Sequence, residues 1–328
     1  MTRTNPLRGR PTPARSFLAS VASALLLLID CGCAAVIPPS TLPISARFEV
    51  EATIAGEGVK LVLDTGSNHS LLKTEAAQRL ELDDVPTGGR AVSMTDSSNE
   101  VRQVGHQVRI VDLRLGATTW DDFVVPCLPV SARFGWDGIL GMNVLRPAAW
   151  WFDVAAGIVH ILPPEGLEEH LLARGQRVLA RLPLGADPLR PFVRVRLEGQ
   201  LDVELLLDTG AGSTSLPREV VEALDLPAGD ELAQRRAEQE AAEWQAAFAR
   251  AGLQATVRVT PSDGSSIGVH EVERKASLHH LRRLDIGQRR FDDLLITGDE
   301  GRLGRDVLGK MPWVLHGPRG ELWMLGAP

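Results

Sequence analysis

A heptapeptide that occurs twice constrains the fold of this chain more than any other feature. Leu61-Val62-Leu63-Asp64-Thr65-Gly66-Ser67 recurs as Leu205-Leu206-Leu207-Asp208-Thr209-Gly210-Ala211, 144 residues further on. Two more blocks follow in the same order. Asp112-Leu113-Arg114-Leu115-Gly116 with Trp120-Asp121-Asp122 is echoed by Arg283-Leu284-Asp285-Ile286-Gly287 with Phe291-Asp292-Asp293. Leu140-Gly141-Met142-Asn143-Val144-Leu145 is echoed by Leu303-Gly304-Arg305-Asp306-Val307-Leu308. Three matched blocks in one order mark a duplicated structural unit. Gly116 and Gly287 lie 171 residues apart, so the second copy carries 27 extra residues. The run 230–253 is rich in Ala, Glu, Gln and Arg, has no Pro and no Gly before Gly252, and reads as a helix inserted in that copy.

Within each copy, short aliphatic and β-branched runs stop at turn formers: 46–54 before Gly56, 108–115 before Gly116, 193–197 before Gly199. The expected fold class is mainly β, with two tandem β-domains and short helical turns after each triplet, at 73–80 and 218–224. With 328 residues, 44% of them hydrophobic, each copy has material for its own core. The first domain is expected over 46–164 and the second over 191–328. Pro163-Pro164 and the charged run after it make 165–190 a linker containing a short helix, and 36–45 a short linker before the first domain.

The formal net charge of −7, with arginines scattered among carboxylates, argues against a nucleic-acid partner. Arg3, Arg8, Arg10 and Arg15 precede an apolar run of 13 residues, Phe17 to Ile29. That is an export signal in residues 1–35, because 13 helical residues rise only about 20 Å against a hydrocarbon core of about 30 Å. Two endings are open: cleavage after Ala35, or a lipoprotein signal with lipid on Cys33 behind Gly32, although Asp30 departs from that motif. The chain is therefore expected to be exported, periplasmic or held at a membrane by its N-terminus alone, through a lipid or an uncleaved signal.

The triplets carry the chemistry. An Asp after three aliphatic residues ends a buried strand, and Thr-Gly turns the chain with the backbone in close approach. If duplicated domains pair about a pseudo-twofold axis, the same edge of each meets its counterpart and Asp64 faces Asp208. Two carboxyls about 3 Å apart do not readily both ionise, so they hold one proton between them, one acting as base and the other as acid.

The aliphatic-Asp-Thr-Gly-Ser/Ala block, followed by aliphatic-Gly-x-Asn/Asp-aliphatic-Leu, resembles the aspartic-protease signature of retropepsins and pepsins, and in particular bacterial aspartyl-protease-family proteins with retropepsin-like domains. The resemblance spans roughly 46–162 and 191–325. It implies two retropepsin-like acid-protease β-barrel domains forming a pseudo-dimer in one chain. It makes Asp64 and Asp208 the catalytic pair of an endopeptidase that needs no cofactor or metal and takes a protein or peptide substrate. Thr65 and Thr209 would brace the active-site loops, Gly66 and Gly210 would permit them, and Gly141 and Gly304 would pack beneath them. Flap hairpins would fall near 94–104 and 260–269. The chain has no tyrosine and hence no pepsin-type flap Tyr, and no pepsin-type prosegment is evident between Ala35 and the first strand. The alternatives on the same fold are a non-catalytic protein that binds peptides in the cleft, and pairing of each copy with another chain.

Other residues read as structural. Cys127, between Pro126 and Leu128, is expected to be a small buried apolar residue rather than a nucleophile. His69 has Ser213 as its counterpart, and His270-Glu271 lacks the second His of a zinc-protease helix, so no metal site is expected. Asp121-Asp122 and Asp292-Asp293 are expected at turns or in solvent, and Trp150 and Trp313 in the core. Trp244 and Phe248, four apart on one helix face, would dock the helix on its own domain.

Overall fold

The computed structural model describes residues 38–86, 92–95, 101–104, 106–130, 134–250, 265–267, 273–275 and 277–326. The segment 1–35, expected to be an export signal, lies outside the described residues, as do the side chains of Trp244 and Phe248. Among the described residues no helix is long and apolar enough to cross a membrane.

The fold is mainly β. In the second half, Phe192–Leu197, Leu201–Leu207, Arg302–Leu303, Ser215–Pro217, Arg289–Asp299 and Leu278–Ile286 close a barrel in that order. Its first strand alternates, with Val193, Val195 and Leu197 inward and Arg194 and Arg196 outward, as a strand with one wet face requires. The first half follows the same path but with eight strands and no closing pair. Its order is Gln107–Ile110, Phe123–Leu128, Leu71–Lys73, Gly138–Leu140, Glu57–Leu63, Glu49–Ile54, Leu113–Leu115 and Thr118–Trp120. The expected first barrel thus appears as an open sheet. The reason is local: the hairpin that runs unbroken as 278–286 and 289–299 in the second half is split at 111–112 and 121–122 in the first.

A six-stranded sheet draws on both halves, in the order Ser40–Pro43, Ile158–Leu162, Ala149–Asp153, Trp313–His316, Glu321–Gly326 and Arg177–Pro183. Its central pair sets Trp150 opposite Leu315 and Phe152 opposite Trp313. Phe152 and Trp313 stack with ring centroids 4.1 Å apart, inside one continuous apolar core. Two stretches read as linkers therefore contribute strands: 40–43 from 36–45, and 177–183 from 165–190. Each pairs with a far segment, Ser40 with Ile161 and Leu182 with Leu322.

The helical turns lie at Thr74–Arg79 and Arg218–Ala223, a short helix at Leu167–Ala173, and a 21-residue helix at Asp230–Arg250. Val92–Thr95 pairs antiparallel with Val101–Val104 in one two-stranded ribbon, and Ser265–Ile267 with Glu273–Lys275 in another. Of the two flap stretches expected at 94–104 and 260–269, residues 96–100, 260–264 and 268–269 lie outside the described residues.

Candidate active site

Each Asp-Thr-Gly follows a strand whose last three residues are buried, Leu61-Val62-Leu63 and Leu205-Leu206-Leu207. Each strand runs parallel to the later block, with Leu63 beside Leu140 and Leu207 beside Leu303. The Asp64 N–H donates to the Leu140 carbonyl at 2.9 Å, and the Asp208 N–H to the Leu303 carbonyl at 3.1 Å. The first and third sequence blocks of each copy thus hold one loop between them.

The two loops meet through their threonines, both fully buried. The Thr65 N–H donates to Thr209 Oγ1 at 3.0 Å and the Thr209 N–H to Thr65 Oγ1 at 3.1 Å. Each hydroxyl in turn donates across the junction, Thr65 to the Leu207 carbonyl at 2.7 Å and Thr209 to the Leu63 carbonyl at 2.6 Å. Four hydrogen bonds satisfy these buried groups reciprocally, which fixes the loops' separation tightly.

The glycines make that approach sterically accessible. A Cβ on Gly66 would lie 2.5 Å from Asp208 Oδ1, and one on Gly210 2.6 Å from Asp64 Oδ2. Each glycine therefore faces the opposite carboxyl. Beneath the loops, a Cβ on Gly141 would meet the Ser67 carbonyl oxygen at 2.7 Å, and one on Gly304 the Ser213 carbonyl oxygen at 2.5 Å. All eight residues singled out from the sequence are thus brought together.

Asp64 is half-buried and Asp208 buried, and their carboxyls are within hydrogen-bonding reach. Burial, and after it the negative charge of Asp208, pushes the Asp64 carboxyl from 3.8 up to about 7; the Gly66 N–H and the Arg302 guanidinium pull the other way. The Gly66 N–H donates to Asp64 Oδ1 and the Ala211 N–H to Asp208 Oδ1, both at 2.9 Å. Such a pair can hold one proton near neutrality and act as acid and base together.

Three features of the site were not read from the sequence. Asn143 Oδ1 accepts from the Ser70 N–H at 2.7 Å and its hydroxyl at 2.9 Å, while Asp306 Oδ1 accepts from the Thr214 N–H at 2.8 Å and its hydroxyl at 2.7 Å. Those hydroxyls accept from the Gly141 and Gly304 N–H groups, both at 3.1 Å. Burial pushes the Asp306 carboxyl up from the usual carboxylate range, against the pull of the Thr214 hydrogen bonds. The signal was present, since the Asn/Asp and Ser/Thr positions recur in both copies. The third feature is Arg302, whose Nη1 lies 3.4 Å from Asp208 Oδ2.

The remaining candidates fall outside the site. Cys127 is buried, and burial, then the charge of Asp84, pushes its thiol up to about 11. Trp150 and Trp313 are fully buried, their indole N–H groups donating to the Leu145 and Leu308 carbonyls. Asp121, Asp122, Asp292, Asp293 and His69 are exposed. Among the described residues no group of three or more His, Cys, Asp or Glu side chains is arranged to hold a metal.

No curated protein matches the chain. Among solved structures, a retropepsin-like aspartic protease from Rickettsia conorii is similar over 39% of this chain and 92% of its own, at 15% identity and a TM-score of 0.28. The Basic 7S globulin from soybean is similar over 88% of this chain and 95% of its own, at 13% identity and a TM-score of 0.47. The stretch 50–144, which holds the first Asp-Thr-Gly triplet and the block around Gly141, matches the family model described as aspartyl protease.

Proposed function

We propose that the chain is an aspartic endopeptidase, a single-chain pseudo-dimer of two retropepsin-like domains whose Asp64 and Asp208 hydrolyse peptide bonds together. The observation that carries this reading is the reciprocal threonine pairing, because it seats two carboxyls from distant parts of one chain within hydrogen-bonding reach. The aspartyl-protease match over 50–144 supports it for the first domain, and the repeated block geometry extends it to the second.

In this mechanism one carboxylate takes a proton from a water held between the pair as the water oxygen attacks the substrate carbonyl carbon. The protonated partner donates to the carbonyl oxygen as negative charge develops there. Collapse of the tetrahedral species breaks the C–N bond, with a proton delivered to the leaving nitrogen. Thr65 and Thr209 keep the carboxyls in position, and Gly66 and Gly210 let them approach. A helical insertion accounts for most of the 27 extra residues of the second copy, and residues 1–35 direct export to the periplasm or an N-terminal membrane anchor.

The test is digestion of an unbiased peptide library by the purified chain, read by mass spectrometry from pH 4 to 8, beside Asp64→Asn and Asp208→Asn. Cleavage by the wild type and by neither variant is expected. Cleavage that survives either substitution would sink the dyad, and peptide retention without cleavage would move the chain to a binding role.

A further inference from the structure

We propose that Arg302 breaks the symmetry of the carboxyl pair, keeping the negative charge on Asp208 so that Asp64 is the partner that carries the shared proton. This rests on the dyad reading above and adds to it a fixed assignment of acid and base.

Duplication alone would give both carboxyls the same surroundings, and the threonine exchange does match across the junction, although Asp64 accepts from the N–H two residues on and Asp208 from the N–H three residues on. The copies diverge one residue before the later block. The first has Ile139, buried in a small apolar cluster with Val62, Leu71, Leu128 and Val130. The second has Arg302 at the equivalent place, on a short strand between Leu201–Leu207 and Ser215–Pro217. Its side chain is only 18% exposed. One guanidinium nitrogen lies 3.4 Å from Asp208 Oδ2, and the other pairs with the Glu300 carboxylate. The Ser215 hydroxyl, in the place of Leu71, donates to the Glu300 carbonyl. The position that holds an apolar side chain in the first copy thus holds a tethered cation beside Asp208 in the second.

A cation in contact favours the ionised form of its neighbour, and that preference weakens with distance and is little screened where water is excluded. Among the described residues, Arg302 is the cation that reaches one carboxyl; Arg305 leans the same way, acting on Asp208 ahead of Asp64, without bonding to either. Arg305, on the helix Arg305–Leu308, acts on both carboxyls and donates to the Arg47 carbonyl at 3.3 Å instead of to either Asp. Arg47 and Glu49, from the first domain, act on Arg305, while Asp299 and Glu300 act on Arg302. Asp64 is drawn down by Arg302 less than it is raised by burial and by Asp208. Arg302 is therefore a positioning residue: Asp208 receives the proton of the attacking water, and Asp64 hydrogen-bonds the carbonyl oxygen.

The test uses the full chain carrying Arg302→Ile, which copies the first domain, Arg302→Gln, which keeps polarity and length, and Arg302→Lys, which keeps the charge. Carbon-13 NMR of aspartate-labelled protein, assigned with the Asp64→Asn and Asp208→Asn chains, follows each carboxyl through pH. In the wild type and Arg302→Lys, the shared proton is expected on Asp64. In Arg302→Ile and Arg302→Gln that preference is expected to be lost, with the acid limb of the kcat/KM profile moving up by about 1–3 pH units. Identical titrations in all four chains, or Arg302→Lys behaving as Arg302→Ile, would overturn the proposal. The NMR reading needs no turnover, so a chain that cleaves nothing would defeat the peptidase reading while leaving the assignment to be decided by the titration.

Discussion

Replacing Asp64 by Asn is expected to stabilise the protein at neutral pH while abolishing its proposed activity. Asn keeps the oxygen that accepts from the Gly66 N–H and replaces the other carboxyl oxygen by a neutral amide nitrogen. The folded chain holds a proton on Asp64 up to about pH 7, whereas an unfolded aspartate gives it up near 3.8. Between those values the native state binds more protons than the unfolded one, so stability falls as pH rises through that window and then levels off. At roughly 1.4 kcal/mol per pH unit, the separation from 3.8 to about 7 comes to about 4 kcal/mol, a ceiling because Asp64 is only half-buried. Urea unfolding of the wild type and Asp64→Asn at half-unit steps from pH 4 to 8 measures it. The variant should match the wild type near pH 4 and exceed it by about 2–4 kcal/mol at pH 7.5. A difference that stays flat across this range would refute the reasoning, since it would mean that Asp64 titrates alike in both states.

Thr65→Val leaves the Thr209 N–H and the Leu207 carbonyl buried without partners, and should cost about 2–4 kcal/mol in urea unfolding. Gly66→Ala places a methyl 2.5 Å from Asp208 Oδ1, so peptide cleavage should be lost while far-ultraviolet circular dichroism stays that of the wild type. Cys127 should resist iodoacetamide at pH 8 in the native chain and react on unfolding, as peptide mapping would show, because burial keeps its thiol protonated.

Much of the site was legible because it was written twice. A single Asp-Thr-Gly is a common turn, but the copies share the blocks that clamp each loop, and the helices at 74–79 and 218–223 fall where the pattern put them. The six-stranded sheet was hidden, because Arg177–Pro183 looks like charged linker until Glu321–Gly326, far along the chain, pairs with it. Local composition carries no record of so distant a partner. Arg302 was missed for the opposite reason: repeat matching draws attention to positions that agree, and this one differs from Ile139. Asn143 and Asp306 were visible as a matched pair, yet their role as acceptors for Ser70 and Thr214 depends on segments about 70 and 90 residues apart being folded together.

The central claim is that one chain builds one working pair from its own two triplets. Asp64→Asn and Asp208→Asn chains, each purified, mixed in equal amounts and incubated with the peptide library, test it most directly. A pair closed within each chain predicts that the mixture stays as inactive as either variant alone; partial return of cleavage on mixing would contradict it, because the two intact aspartates would then be meeting between chains.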